Sequence, residues 1–136
     1  MPYFSKTSMG RLNDCHKDLI TIFKHVIKFI DCSVLVSYRP EHDQNLAFET
    51  GKSKLRYPDS KHNKLPAMAV DVAPYPIDWE DAKRFYYFGG IVLGIANRLY
   101  NEGEISHRVR WGGDWNMNHD LSDQDLFDLV HFELVG

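Results

Sequence analysis

Three short stretches of the chain carry side chains that chemistry can use: Ser60-Lys61-His62, Ala69-Val70-Asp71, and Asp128-Leu129-Val130-His131. Two imidazoles and one carboxylate, here His62, Asp71 and His131, are what a catalytic zinc ion takes from a protein when a fourth position stays open for water. Asp128 precedes the last His by three residues, where its carboxylate would serve that water as general base. Asp71 lies inside an apolar run, Ala67-Met68-Ala69-Val70-Asp71-Val72-Ala73, and a carboxylate buried there needs a partner or a metal. The histidines admit plainer readings. A lone His in a polar loop is as a rule solvated, a His between Val130 and Phe132 is as a rule a satisfied core residue, and D-x-x-H recurs by chance. Spacing alone leaves the metal site and these readings side by side.

A second cluster runs from Asp114 to Asp125. Asp114, Asn116, Asn118 and Asp120 alternate with other residues in the D-x-N-x-N order of an EF-hand loop, Ser122 follows, and Asp125 takes the twelfth position in place of Glu. His119 stands where such loops place Gly, which argues against tight calcium binding. The competing reading is a polar turn in which Ser122 caps a following helix. His107 and His119 read as solvated, and Cys15 and Cys32 as reduced, mostly buried side chains.

The elements that must position these groups follow from periodicity. Apolar residues at Leu12, Leu19, Ile22, Phe23, Val26, Ile27 and Ile30 predict one helix over 12–30 with a buried face. Ser33 to Tyr38 reads as a strand. Pro40-Glu41 opens a helix through Phe48, closed by Gly51. Residues 52–66 form a polar loop that delivers His62, and 67–73 a small-residue strand carrying Asp71. Asp78 is expected to cap a long amphipathic helix over 79–100, whose many aromatics read as core and boundary residues. Arg108 to Trp111 reads as a strand, turned by Gly112-Gly113, with Trp111 and Trp115 supporting the site from either side. A short helix after Ser122 and a last strand over 130–135 complete the chain. The order predicts an α+β fold, a small and mainly antiparallel sheet with helices packed on one side.

The 136 residues favour a single domain. A hydrophobic fraction of 43%, a charged fraction of 26% and a formal net charge of -3 are ordinary for a globular protein. Charges of both signs are mixed along the chain, without the basic stripe of a nucleic-acid binder. Apolar stretches are broken well before membrane-spanning length, and the N-terminus shows no secretory signal. The expectation is a chain made and kept in a cytosol, with no membrane anchor.

Ser60-Lys61-His62 through Asp71-Val72-Ala73-Pro74-Tyr75, with Asp128-x-x-His131-Phe132-Glu133-Leu134-Val135, resembles the signature of the zinc peptidases that cut peptidoglycan stem peptides. That family includes D-alanyl-D-alanine dipeptidases and carboxypeptidases and the phage L-alanyl-D-glutamate endopeptidases that serve as endolysins; the resemblance is to the phage enzymes and runs from about Val34 to the C-terminus. Ser37-Tyr38-Arg39-Pro40-Glu41-x-x-Gln44 is similar to the family's G-Y-R-S-x-x-x-Q stretch, with Ser37 in place of Gly. The family's S-x-H-x-x-G-x-A-x-D turn is longer here by two residues, where Asn63-Lys64-Leu65-Pro66 replaces the Gly-containing turn.

The resemblance implies a hedgehog/D,D-peptidase-like fold, with His62, Asp71 and His131 as zinc ligands and Asp128 as general base. Arg39 would stabilise the oxyanion or hold a substrate carboxylate, and Gln44, Ser60 and Tyr75 would bind substrate. It further implies a calcium ion as a candidate occupant of the Asp114–Asp125 loop. The expected protein is one catalytic domain over 1–136 without a separate wall-binding domain, a monomer stored in the host cytoplasm and released by a holin to act on the wall. Two alternatives stand beside it: a D,D-carboxypeptidase or dipeptidase acting on D-alanine ends, and a non-catalytic wall-binding or virion protein with the same fold.

Overall fold

Alternation along the strands divides the molecule into a core side and a site side. A computed structural model of the chain describes residues 2–123 and 128–136. In chain order the elements are α1 (Lys6–Leu12), α2 (Lys17–Phe29), β1 (Cys32–Val36), α3 (Glu41–Glu49), β2 (Ala69–Pro74), α4 (Ala82–Asn101), β3 (Arg108–Gly112) and β4 (Asp128–Val135), with 3-10 turns at Lys61–Asn63 and Leu121–Asp123. The four strands form one antiparallel sheet in the order β1-β2-β4-β3. This is the expected α+β architecture.

Successive side chains of a strand point to opposite faces. Val34, Val70, Val72, Val109, Trp111, Phe132 and Leu134 fall on one face and pack with Leu19, Ile22, Phe23 and Val26 of α2 and Phe88, Val92 and Leu99 of α4. Burying each such side chain is worth about 1.5–3 kcal/mol, so this face holds the sheet and helices together. None of the described core residues comes from α3. The alternate positions Asp71, His131 and Glu133 are left to the other face.

Two boundaries depart from the periodicity. The apolar pattern over 12–30 spans two helices: α1 ends at Leu12, and α2 begins after His16, whose ring accepts the Asp18 N–H as its N-cap. Between them, the His16 N–H donates to the Ala67 carbonyl and the Ala67 N–H to the Asp14 carbonyl. These bonds to the chain leading into β2 replace the helical ones. The long helix starts at Ala82, with Asp81 as its cap, while Asp78 accepts the Glu80 N–H within the preceding turn.

Candidate metal centre and catalytic cleft

His62 is placed by a turn that the sequence builds locally. Ser60 Oγ accepts the His62 N–H at 3.2 Å and Asn63 Oδ1 accepts the Ser60 N–H at 3.1 Å, a reciprocal capping box. The turn is stapled to the chain after β1 by a bond from the Arg39 N–H to the His62 carbonyl. Asp71 and His131 are direct cross-strand partners in the β2–β4 register, so the sheet itself brings them together. All three residues are buried. His62 Nε2 and His131 Nδ1 each lie 3.2 Å from the same oxygen, Asp71 Oδ1.

The second nitrogen of each ring fixes its proton. His62 Nδ1 is 2.8 Å from the Ser37 carbonyl oxygen, and His131 Nε2 is 2.8 Å from Glu133 Oε1. Both partners only accept, so those nitrogens carry the N–H and the opposite ones turn their lone pairs toward Asp71. Two imidazole lone pairs and a carboxylate pointing at one another want a cation between them. The set therefore fits a metal ion with two nitrogen ligands and one oxygen ligand.

The electrostatics agree. Burial works to raise the Asp71 pKa, but hydrogen bonds from His131 and His62 overcome it and hold the carboxyl far below its usual range. Burial likewise opposes charge on His131, yet its bonds to Asp71 and Glu133 prevail and raise its pKa to about 9.

Asp128 reaches the same site through an irregularity. Residues three apart on a regular strand face opposite ways. Between Trp111↔Phe132 and Gly112↔Asp128 the β3–β4 register shifts, so β4 bulges over 129–131. The bulge lets both Asp128 and His131 line one cleft of ≈ 740 Å³, together with Arg39, Lys61, His62 and Asp71. Burial, then the nearby Asp71 charge, raise the Asp128 pKa.

Arg39 projects into the cleft with Nη2 3.9 Å from Asp71 Oδ2. Its Nη1 donates to Gln44 Oε1 at 3.0 Å. Gln44 is fully buried, and its amide also receives Asn63 Nδ2 and donates to Ser53 Oγ and the Leu55 carbonyl. It acts as a strut between Arg39 and the 53–63 loop and offers no surface to a substrate. Ser60 is at the cleft, but its hydroxyl is engaged as a cap. Tyr75 lies past the far end of β2, where its N–H bonds the Asp31 carbonyl; it is exposed and is not among the residues lining the cleft.

Two residues at the site take their roles only from the structure. Glu133 stands two positions after His131 on the same face, visible only once the strand register is known. Trp115 lines the cleft with its ring 5.4 Å from that of His131. Trp111, by contrast, is buried beneath and donates its indole N–H to the Leu129 carbonyl. Cys15 and Cys32 are buried free thiols whose pKa values burial pushes up to about 12, which leaves them unreactive.

The acidic loop is ordered by its own polar groups. His119 adopts the left-handed conformation of a glycine, φ 67°, and its N–H donates to Asp114 Oδ2 at 2.8 Å. Asn116 and Asn118 both donate to Asp123, and Asp120 accepts the Ser122 N–H and hydroxyl. Asp125 lies outside the described residues.

Among the described residues one other group has metal-ligand composition: His16, Asp18 and His107. Its hydrogen bonds run the other way. His16 Nδ1 already accepts the Asp18 N–H, so the neutral ring carries its proton on Nε2 and has no lone pair to spare. Asp18 Oδ2 takes the Ser106 and His107 backbone N–H groups, the Ser106 hydroxyl and His107 Nδ1. This group fastens the loop before β3 to the start of α2.

Comparison with known proteins adds the following. A family model described as phage L-alanyl-D-glutamate peptidase matches residues 1–135. The chain is 33% identical over 143 aligned positions to an L-alanyl-D-glutamate peptidase of Escherichia phage T5, covering 97% of each. Its fold is similar to the crystal structure of the Serratia marcescens L-Ala D-Glu endopeptidase ChiX, with a TM-score of 0.69, 24% identity, and coverage of 97% of this chain and 89% of the other. At that identity the likeness is one of fold.

Proposed function

The chain belongs to the phage L-alanyl-D-glutamate peptidase family, and from that premise we propose that it hydrolyses the bond between L-alanine and D-glutamate in peptidoglycan stem peptides as a zinc-dependent endolysin. The observation that carries the reading is the convergence of the His62 Nε2 and His131 Nδ1 lone pairs on Asp71 Oδ1, beside a cleft that also holds Asp128 and Arg39. Zinc held by His62, Asp71 and His131 would supply Lewis acidity toward the scissile carbonyl and the attacking water.

The remaining roles fall to side chains of the chain. Asp128, with its raised pKa, takes the proton of the attacking water and delivers it to the departing D-glutamate amine. Arg39, steadied by Gln44, directs its guanidinium at the negative charge that develops on the carbonyl oxygen. The bulge in β4 keeps base and ligands on one side of the cleft. The single sheet and core support reading the chain as one catalytic domain.

Among the described residues no helix is long and apolar enough to cross a membrane. As an endolysin the protein would be held in the host cytoplasm until a holin opens the way to the wall, and would act there as a monomer.

Two substitutions test the assignment. Asp128→Ala should lower turnover of stem peptide by about 10²–10⁴-fold while zinc content, read by atomic absorption, stays at the wild-type level. His131→Ala should lose the metal. Wild-type turnover by Asp128→Ala would remove Asp128 as the base.

A further inference from the structure

We propose that Glu133 is a positioning residue that presets the metal site by holding His131 in its ligating tautomer. The inference rests on the metal-site reading above. A neutral imidazole has one N–H and one lone pair, and which nitrogen keeps the lone pair depends on what the other is bonded to. For His62 that choice is made by a backbone carbonyl, Ser37 O, which no side-chain substitution removes. For His131 it is made by a side chain alone: Glu133 Oε1 at 2.8 Å from Nε2. Among the described residues no other hydrogen bond favours the tautomer whose Nδ1 lone pair meets Asp71.

Glu133 is itself held by two cations. Its Oε2 lies 3.5 Å from Lys61 Nζ and 3.8 Å from Arg110 Nε. Lys61 immediately precedes His62 and also donates to the Leu134 carbonyl. Arg110 is the cross-strand partner of Glu133 on β3. The carboxylate thus joins the His62 turn, β3 and β4 at one point, and these contacts set its orientation. Outer partners of this kind typically change metal affinity by about 10–100-fold.

The test is zinc affinity by competition with a chromogenic chelator for wild type, Glu133→Ala and Glu133→Gln. Glu133→Ala should bind zinc about 10–100-fold more weakly. Glu133→Gln should recover most of that loss, because its amide oxygen still accepts from His131 Nε2 although the charge facing Lys61 and Arg110 is gone. If Gln is as weak as Ala, Glu133 acts only as the centre of an ion-pair cluster and the proposal is overturned. Equal affinity in wild type and Glu133→Ala overturns it as well, while a wild type that binds no zinc overturns the metal-site reading instead. Imidazole nitrogen NMR of the zinc-loaded wild type gives an answer even if Glu133→Ala does not fold. It should find His131 protonated at Nε2, and metal on Nε2 would refute the assignment.

Discussion

Asp18 and Asp71 each lie between two imidazoles, but the protons around them run in opposite senses. At Asp71 both rings donate their N–H groups elsewhere and turn lone pairs inward. At Asp18 one ring has spent its lone pair on a helix cap, and four donors crowd a single oxygen. The first arrangement suits a cation; in the second the hydrogen bonds already match the carboxylate and the ring. Burial acts to raise the Asp18 pKa, but hydrogen bonds from His107 and Ser106, with His16 nearby, lower it overall. A carboxylate whose folded pKa is depressed stabilises the fold above its unfolded value near 3.9 and loses that contribution as pH falls through the folded one. Asp18→Ala should therefore cost about 1–3 kcal/mol at neutral pH, and the gap between mutant and wild-type melting temperatures should close below about pH 4. A gap that persists unchanged into acid would show that the carboxylate charge contributes nothing.

Elements, more than ligands, decide whether the site works, and the β3–β4 bulge is the one that matters most. A Cβ built on Gly112 would lie 2.0 Å from the Asp128 carbonyl oxygen and 2.8 Å from its carbon, so only glycine lets the two strands approach there. Gly112→Ala should push Asp128 away from the cleft, lowering kcat by about 10²-fold for a stability loss of about 1–3 kcal/mol. Melting curves and kcat measured on one preparation would check this, and a lowered melting temperature with unchanged kcat would contradict it. The sequence made most elements legible: Pro40 and Gly51 bracket α3, and the alternation around Asp71 and His131 marks β2 and β4. The break at residues 13–16 was hidden because apolar spacing runs through it, and its cause is a pairing with distant Ala67. The bulge was hidden too, since register is a property of two strands and neither shows it alone.

Across the whole molecule, one sheet separates two kinds of work. Its core face carries the apolar side chains that bind it to α2 and α4; its other face carries Asp71, His131 and Glu133. Residue type and order marked Asp71 and His131 as polar groups inside apolar strands, but His62 lies in a polar loop, and it was the resemblance that joined the three ligand candidates and Asp128 into one site. The supporting layer was not legible in this way. The resemblance implies a substrate contact at Gln44, which is instead fully buried as a strut, because a Gln one turn into a helix gives no sign of which side it faces. Glu133 needed the strand register to acquire a role.

What joins these scales is the claim that this cleft cuts stem peptides after L-alanine. The most direct test is mass spectrometry of fragments released from purified Gram-negative sacculi by the zinc-loaded protein. The account predicts glycan strands ending in lactyl-L-alanine, and stem peptides newly starting at D-glutamate. Release of terminal D-alanine alone, or no release from protein with zinc bound, would contradict it.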